Sequence, residues 1–230
     1  MANLYTSRPK HHVALDCIVF GFEEGELKVL TVKRYFEPLK DQWSLPGDFL
    51  EDKESLDQAA NRVLHQLTGL KNIYLEQFKT YGEPGRDIAA RVISVAYFAL
   101  IELKPDMEIF GPDFQAHWFA IGEVPRLVFD HDQMLHDALR QVQHRAKNRP
   151  IGFELLPERF TMPQLQRLYE CIYQREFDRR NFSKKMLSTG LLHRQNEKLK
   201  GASKKGAFLY RFDAMKYQEL STKGFYVDFT

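Results

Sequence analysis

Cysteine is scarce in this chain, with only Cys17 and Cys171 among 230 residues. Both are flanked by apolar residues, the eight histidines form no HxxxH pattern, and the cysteines form no CxxC pair. A disulfide framework and a structural zinc site are therefore excluded, and the two thiols read as buried and free, as a reducing compartment allows. Long apolar runs are also lacking: nothing approaches the roughly 20 residues that a membrane span requires. The opening MANLYTSRPKHH has no apolar stretch of the kind a secretory signal carries. These absences predict a cytoplasmic protein, in which the formal glycosylation match Asn181-Phe182-Ser183 goes unused. No internal repeat or low-complexity tract is visible, and 43% hydrophobic with 28% charged residues is the composition of a folded globular protein.

The length suits two modest cores. The net charge of +2 conceals an asymmetry: residues 1–150 carry 18 Lys and Arg against 22 Asp and Glu, net −4, and residues 151–230 carry 15 against 9, net +6. Lys147-Asn148-Arg149-Pro150, charged and poor in apolar residues, lies where the sign changes. The boundary is placed there, giving one domain over 1–150 and a second over 151–230. Between Asp178 and Arg211 there are ten basic residues and two acidic ones. A local field of that sign suits a polyanion, DNA above all, or is a solvated basic face, and charge by itself leaves both open.

Periodicity divides the first domain into strands and helices. Ala14–Phe22 and Leu27–Lys33 are β-rich runs around Glu23-Glu24-Gly25-Glu26, which reads as a hairpin with a glycine turn. Leu56, Ala59, Ala60, Val63, Leu64 and Leu67 fall at helical spacing, with Ser55 and Gln58 as a capping-box pair and Gly69 just past the end. Further strands are predicted around Tyr74–Tyr81, Arg91–Leu103 and His117–Ile121, then a helix from about His131 to Lys147. In the second domain Met162–Tyr173 reads as a helix begun by Thr161 and Pro163, and Arg179 to about Ser188 as another capped by Asp178. Leu191-Leu192 and Phe208–Phe212 flank a polar loop, as strands flank a long hairpin. Helix, helix and basic hairpin outline a winged helix-turn-helix.

Trp43-Ser44-Leu45-Pro46-Gly47-Asp48-Phe49-Leu50, followed by Glu54-Ser55-Leu56, Ala59-Ala60, Arg62, Leu64 and Thr68-Gly69-Leu70, resembles the Nudix box and the segment leading into it. The resemblance implies an α/β fold, an α/β/α sandwich with a mixed sheet. In active members it implies hydrolysis of nucleoside diphosphates linked to another group, with a divalent metal held by helix glutamates. Such a metal needs hard oxygen ligands, and cleavage needs an activated water. In the family pattern the glutamates follow the arginine at spacings of three and four, on one helix face. Here those positions hold Val63, Gln66 and Leu67, none of which offers a carboxylate. Asp48 stands where the pattern has a glycine, whereas Glu54 and Arg62 match it and can brace loop against helix as an ion pair. The resemblance thus implies a Nudix fold without Nudix hydrolysis, with no catalytic residue, metal or cofactor, unless Glu51 or Asp52 has taken over the lost role.

Over nearly its whole length the chain is similar to the Nudix-related transcriptional regulators, bacterial repressors that join a Nudix domain to a winged helix. The similarity rests on Tyr74-Leu75-Glu76-Gln77-Phe78, Arg86-Asp87 with Arg91-Val92-Ile93-Ser94-Val95-Ala96-Tyr97, and Phe129-Asp130-His131. In the second domain it rests on Leu155-Leu156-Pro157, Phe160-Thr161, Leu165-Gln166, Leu168-Tyr169, Asp178-Arg179-Arg180-Asn181-Phe182 and Leu209-Tyr210-Arg211-Phe212. It implies a homodimer on palindromic double-stranded operator DNA, released by a small effector. The residues agree: at about 100° per residue Phe182 and Met186 fall on one side of the helix and Arg180, Asn181 and Lys184 on the other. Arg179, Arg180, Asn181, Lys184 and Lys185 are the candidate DNA contacts there. Arg180 suits guanine and Asn181 adenine, with the lysines nearer phosphates, or all of them touch phosphate alone. Between Arg194 and Gly206, Arg194, Lys198, Lys200, Lys204 and Lys205 suit a wing laid on phosphates.

For the effector, Trp43, Arg86, Asp87, Arg91, Asp130 and His131 are the candidates. In the family the Arg86-Asp87…Arg91 stretch borders the ligand and dimer region, and a guanidinium fork suits anionic or hydroxyl-rich ligands. Ile88 stands in place of the usual proline. Asp87 equally suits a structural ion pair, Asp130 and His131 a helix cap and a buried hydrogen bond, and Trp43 either a stacking contact or the core. Asp16-Cys17-Ile18, Phe20-Gly21-Phe22 and Ile151-Gly152-Phe153 resemble the arabinose-responsive branch. The function expected is therefore a DNA-binding repressor of arabinose-like sugar utilisation, with ADP-ribose and control of NAD metabolism as the alternative. An active ADP-ribose pyrophosphatase with a nucleic-acid-binding tail and a protein-interaction adaptor are the readings from other classes.

Overall fold

The computed structural model describes residues 8–103, 116–148, 155–199 and 206–222. The boundary expected at Pro150 and the segment Ile151-Gly152-Phe153 lie outside the described residues, as do Lys200, Lys204 and Lys205.

The chain opens on β1 (His12–Glu23) and β2 (Glu26–Lys33). Their turn holds Glu24 at φ 51° and Gly25 at φ 82°, the two left-handed residues whose twist best matches a two-residue hairpin. Residues 15–22 of β1 are all buried, which explains why this strand reads as an apolar run and not an alternation. The short strands β3 (Trp43–Ser44) and β4 (Gly47–Phe49) follow, and after the helix α1 (Leu56–Thr68) come β5 (Glu76–Tyr81), β6 (Val92–Glu102) and β7 (Ala116–Ala120). Among the described residues these strands form one sheet, with the path β3-β2-β1-β6-β5, β4 paired to β1 and β7 to β2. A 3-10 turn at Ile121–Glu123 then leads towards α2 (His131–Asn148).

The capping box on α1 is complete: Gln58 N–H donates to Ser55 Oγ, and Ser55 N–H donates to Gln58 Oε1 at 2.8 Å. Gly69, at φ 75°, ends the helix in the left-handed conformation that glycine adopts without strain. Ala59, Ala60, Val63, Leu64 and Leu67 are its buried face. Each large apolar side chain removed from water there contributes about 1.5–3 kcal/mol.

The chain forms two compact units. The first holds Met1–Val19, Val29–Ala99 and Glu108–His136, and the second Phe20–Lys28, Leu100–Met107 and Asp137–Thr230. The tip of the first hairpin and the later turns of α2 thus group with the C-terminal segment. In that second unit lie β8 (Phe160–Thr161), α3 (Met162–Tyr173), α4 (Arg179–Ser188), β9 (Leu192–Leu199), β10 (Ala207–Phe212) and α5 (Ala214–Thr222). The three strands form an antiparallel sheet in the order β8-β10-β9.

Thr161 and Gln164 form a second capping box at the start of α3, and Asp178 Oδ1 accepts the Asn181 N–H at 2.8 Å to start α4. The turn between the helices is fastened by Glu170, whose Oε1 accepts from Phe177 N at 3.1 Å and from Gln166 Nε2 at 2.8 Å. Phe182 packs against Tyr169 and Phe177 with ring centroids 5.6 and 5.7 Å apart. Arg167 Nε and Cys171 Sγ both donate to Gly25 O, at 2.8 and 3.2 Å. Cys17 is buried as expected, whereas Cys171 is only partly covered.

The predicted helices are found with nearly their expected bounds, and four features depart from the sequence-based outline. The strands β3, β4 and β8 are too short to show a period, and α5 was not expected. β9 runs to Leu199, so Arg194 and Lys198 stand on a strand and not in a loop. Its residues are mostly exposed and polar, so it carries no apolar alternation, and only its pairing with β10 makes it a strand.

Both tryptophans, Trp43 and Trp118, belong to the first unit, so their fluorescence follows its unfolding. Replacing Ser55 by Ala removes the cap of α1 and is expected to cost about 1 kcal/mol. In urea unfolding followed by tryptophan emission the midpoint should fall with no change of slope.

Candidate functional site

A narrow cleft of about 60 Å³ opens in the first unit, with Asp16, Arg34, Ser44, Arg86, Asp87 and His131 as polar lining and Phe36, Phe49 and Phe129 as rings. Asp16 projects from the middle of β1, opposite Gly47 of β4. A Cβ at position 47 would collide with Asp16 Oδ1, so the glycine lets the two strands close around the carboxylate. Ser94 Oγ donates to Asp16 Oδ2 at 2.5 Å, and Arg86 Nη2 lies 3.8 Å from the same oxygen.

Arg86, with a side chain only 4% exposed, makes a two-pronged pair with Asp130: Nε to Oδ2 at 2.9 Å and Nη2 to Oδ1 at 2.6 Å. A buried guanidinium is costly unless paired in this way. Burial alone would weaken its hold on the proton, but the hydrogen bond to Asp130 and the charges of Asp16, Asp130 and Asp87 outweigh burial and raise its pKa. Asp130 follows Phe129, which has φ 53°, an uncommon conformation for a bulky residue. Such backbone strain gathers at functional sites when the surroundings enforce it.

His131 Nδ1 accepts the Leu45 N–H at 3.2 Å, while Ser44 Oγ, 3.3 Å from Nδ1, donates to Leu45 O at 2.8 Å. The proton of the neutral ring therefore sits on Nε2, 3.6 Å from Asp16 Oδ1. Ser44, His131 and Asp16 superficially resemble a nucleophile, base and orienter. With the Nδ1 lone pair occupied by Leu45, however, the ring cannot take a proton from Ser44. Burial depresses the His131 pKa, helped by Arg86 and Arg34 and opposed by Asp16 and Asp130.

Arg34 completes the cleft. Its Nε donates to Pro38 O at 3.0 Å, and its guanidinium carbon lies 4.3 Å from the Phe36 ring centre and 5.0 Å from that of Phe129.

Of the effector candidates, the fold brings Arg86, Asp130 and His131 together, with Asp87 on the lining and its Oδ1 accepting from Ala89 N at 2.8 Å. Asp130 pairs with Arg86, and it is Asp132 that accepts from Leu127 N at 3.1 Å. Arg91 and Trp43 do not line the cleft. Arg91 Nη1 donates to Glu83 O at 3.2 Å, and the Trp43 ring packs edge-on against Phe119 at 5.0 Å. Asp16, Arg34 and Ser44 are cleft residues that sequence reasoning missed. A charged residue inside the apolar run of β1 was the available signal for Asp16.

The box helix shows where the missing carboxylates would have been. Val63 and Leu67 are buried in a cluster with Val32, against which Ala116 packs. Gln66 Oε1 accepts from Arg62 Nη1 at 3.1 Å. Arg62 braces the box loop: Nε donates to Glu54 Oε2 at 2.9 Å, and Nη2 donates to Glu54 Oε1 at 2.6 Å and to Phe49 O at 2.9 Å. The Arg62 hydrogen bond pulls the Glu54 pKa down to about 2. Asp48 and Glu51 face the same guanidinium at 3.6 and 3.7 Å. Among the described residues no group of three or more His, Cys, Asp or Glu is placed to hold a metal.

In the second unit, α4 buries Phe182 and Met186 and exposes Arg179, Arg180, Asn181 and Lys184, with Lys185 half-covered. The apolar pair fixes the helix while the opposite face meets solvent, the arrangement a recognition helix requires. On the hairpin, Arg194 and Lys198 lie over the Phe208 ring at 3.7 and 4.4 Å, which holds both cations on one side of the sheet.

Comparisons with known proteins agree with this geometry. Residues 10–138 match the NUDIX domain family, and residues 152–212 match the NrtR DNA-binding winged helix domain. The chain is 30% identical over 213 residues, 91% of its own length and 85% of the relative's, to the ADPR responsive transcriptional repressor NtrR of Acinetobacter baylyi. The crystal structure of Shewanella oneidensis NrtR complexed with a 27mer DNA matches with TM-score 0.71 and 26% identity, covering 87% of this chain and 93% of that one. The NUDIX domain of that NrtR complexed with ADP ribose matches with TM-score 0.54 and 28% identity, over 61% of this chain and 94% of that one. The expected fold class, a Nudix α/β domain with a mixed sheet followed by a C-terminal winged helix, is shown by these matches. The ligand that their names carry is ADP-ribose and not arabinose, so the placement of this chain beside the arabinose-responsive branch is corrected.

Two outcomes follow from the geometry. Arg180→Ala and Asn181→Ala are each expected to weaken binding to a promoter duplex by roughly 5- to 150-fold and to relax sequence preference, whereas Lys184→Ala should weaken all duplexes alike and reduce the salt slope by about one. Fluorescence anisotropy at several salt concentrations distinguishes these patterns. The depressed His131 pKa means that the unfolded chain binds the proton more readily, so the stability of the first unit should fall as the pH drops through the model value of 6.5. Urea unfolding at pH 7.5 and about pH 5.5 should show that loss, and His131→Asn, which keeps an acceptor for Leu45, should flatten it.

Proposed function

This chain belongs to the NrtR family of Nudix-related transcriptional regulators, and from that premise we propose that it is a repressor whose Nudix domain binds ADP-ribose, or a similar nucleoside diphosphate sugar, without hydrolysing it. The observation that carries this reading is the box helix, where Val63 and Leu67 belong to the apolar core at positions that hydrolysis would give to metal-binding carboxylates. A pocket so equipped can hold a diphosphate but has no means of activating water against it. The effector is argued from the relatives, whose names specify ADP-ribose, and from the chemistry of the cleft, where Arg34 and Arg86 offer charge that a neutral pentose does not need. The arabinose-like effector gives way to this alternative, and with it control of sugar use gives way to control of NAD metabolism.

As a homodimer on a palindrome, the protein would place two copies of α4 in major grooves about 34–36 Å apart, with the wing cations on flanking phosphates. ADP-ribose would then shift the population away from the DNA-bound form by as much as its affinities for the two forms differ.

One experiment tests the reading. Purified protein is titrated onto duplex from its own promoter and onto random duplex, with ADP-ribose or L-arabinose and with magnesium or manganese present, and the nucleotide is recovered afterwards. The expected result is selective binding, weakened by ADP-ribose and not by arabinose, with ADP-ribose recovered intact. Release by arabinose alone, equal binding to random duplex, or turnover of ADP-ribose at ordinary enzyme rates would each sink it.

A further inference from the structure

We infer that Arg34 is the phosphate-binding residue of the cleft and the one that selects an anionic diphosphate over a neutral sugar. This rests on the reading of the cleft as the effector site. Two arginines line it, and they are not equivalent. Arg86 spends its Nε and Nη2 on Asp130 and lies 3.8 Å from Asp16, so it is already neutralised by the protein. Arg34 has only its Nε engaged, by Pro38 O at 3.0 Å. Its two terminal nitrogens have no hydrogen-bond partner among the described residues.

The guanidinium is nevertheless held in place. Phe36 and Phe129 flank it at 4.3 and 5.0 Å, and the bond to Pro38 sets the direction of the fork. A fork fixed before the ligand arrives loses little conformational freedom on binding, which favours a planar two-pronged contact with phosphate oxygens. Burial also leaves this cation short of water, and that weakens its hold on the proton despite Asp87, Asp16 and Glu37 nearby. An incoming anion would restore the missing solvation.

The carboxylates around the cleft do not serve as that anion. Asp16 accepts from Ser94, Asp87 from Ala89 N, and Asp48 from Phe49 N while facing Arg62. None of them makes an ion pair with Arg34. A volume of about 60 Å³ admits a phosphate group and not a whole nucleotide. The rest of the ligand would lie at the mouth, where Phe36 and Phe49 are partly exposed.

The test uses the full chain and titration calorimetry with inorganic pyrophosphate and with ADP-ribose. Wild-type protein and Lys40→Gln, an exposed cation outside the cleft, are expected to bind both. Arg34→Gln should lose at least tenfold in affinity for each, and Arg34→Lys should recover only part of it, because a point charge lacks the fork. Equal pyrophosphate binding by wild type and both Arg34 variants, or no pyrophosphate binding by wild type, would overturn the inference. The two readings separate cleanly. If ADP-ribose releases DNA from wild type and from Arg34→Gln at the same concentration, the effector reading stands and the role of Arg34 fails. If pyrophosphate binding depends on Arg34 but ADP-ribose leaves the DNA complex intact, the role of Arg34 stands and the effector reading fails.

Discussion

The sensor cleft depends on one buried carboxylate. Asp16 lies on a central strand, among residues that are otherwise apolar and fully covered, and an ionised group there is tolerated only with partners on every side. Ser94 supplies a hydroxyl from β6, Arg86 a guanidinium from the β5–β6 connection, and His131 an N–H from the start of α2. Gly47 supplies room. Each partner is in turn fixed by a further contact: Arg86 by Asp130, His131 by Leu45, Gly47 by its register with Asp16 on β1. The cost of burying Asp16 is therefore what draws four separate segments of chain to one place. A polar network of this kind specifies a unique arrangement because any slip leaves a charge unsatisfied.

Against that network, the box helix shows a different use of the same fold. A helix face that would carry metal ligands has been converted to packing, with Val63 and Leu67 against Val32, while the Arg62–Glu54 brace is retained. The brace and the ligands have separate physical tasks. The brace holds the box loop against α1, on which the strand β4 and hence the Asp16–Gly47 register depend. The ligands serve chemistry alone, so they can be lost with no cost to the scaffold. Restoring glutamate at position 63 would now bury a carboxylate beside apolar side chains, which makes the conversion difficult to reverse by single substitutions.

Much of the fold was legible in the sequence wherever local chemistry decides the structure. Ser55, Thr161 and Asp178 mark helix starts because a side-chain oxygen must satisfy free N–H groups there, and all three do so in the structure. The recognition face of α4 was legible because helical rotation alone separates Phe182 and Met186 from Arg180, Asn181 and Lys184. β9 was not, since an exposed polar strand has no pattern of its own and exists through β10. The cleft was legible in part. Arg86, Asp130 and His131 could be nominated, but their pairing belongs to tertiary structure, and Asp130 proved to be Arg86's partner where Asp87 had been an equal choice. Arg34 carried no local signal at all: an arginine after a strand is ordinary until two aromatic rings from different loops close on it.

The two halves of the chain both handle anions, but by opposite physical means. On α4 and the hairpin the cations are exposed and face water, so their attraction for DNA is long-ranged, summed over many phosphates and strongly screened by salt. In the cleft the arginines are buried or half-buried, held by named partners, and screened far less. A nucleoside diphosphate sugar at low concentration cannot compete with DNA for the exposed cations, because two charges displace few counterions compared with a duplex. Its influence on DNA binding must come from occupying the cleft. The +6 charge of residues 151–230 and the −4 charge of residues 1–150 fit that division of labour: the basic half supplies affinity for the polyanion. The acidic half keeps loose phosphates away and admits only a ligand that matches a preset fork.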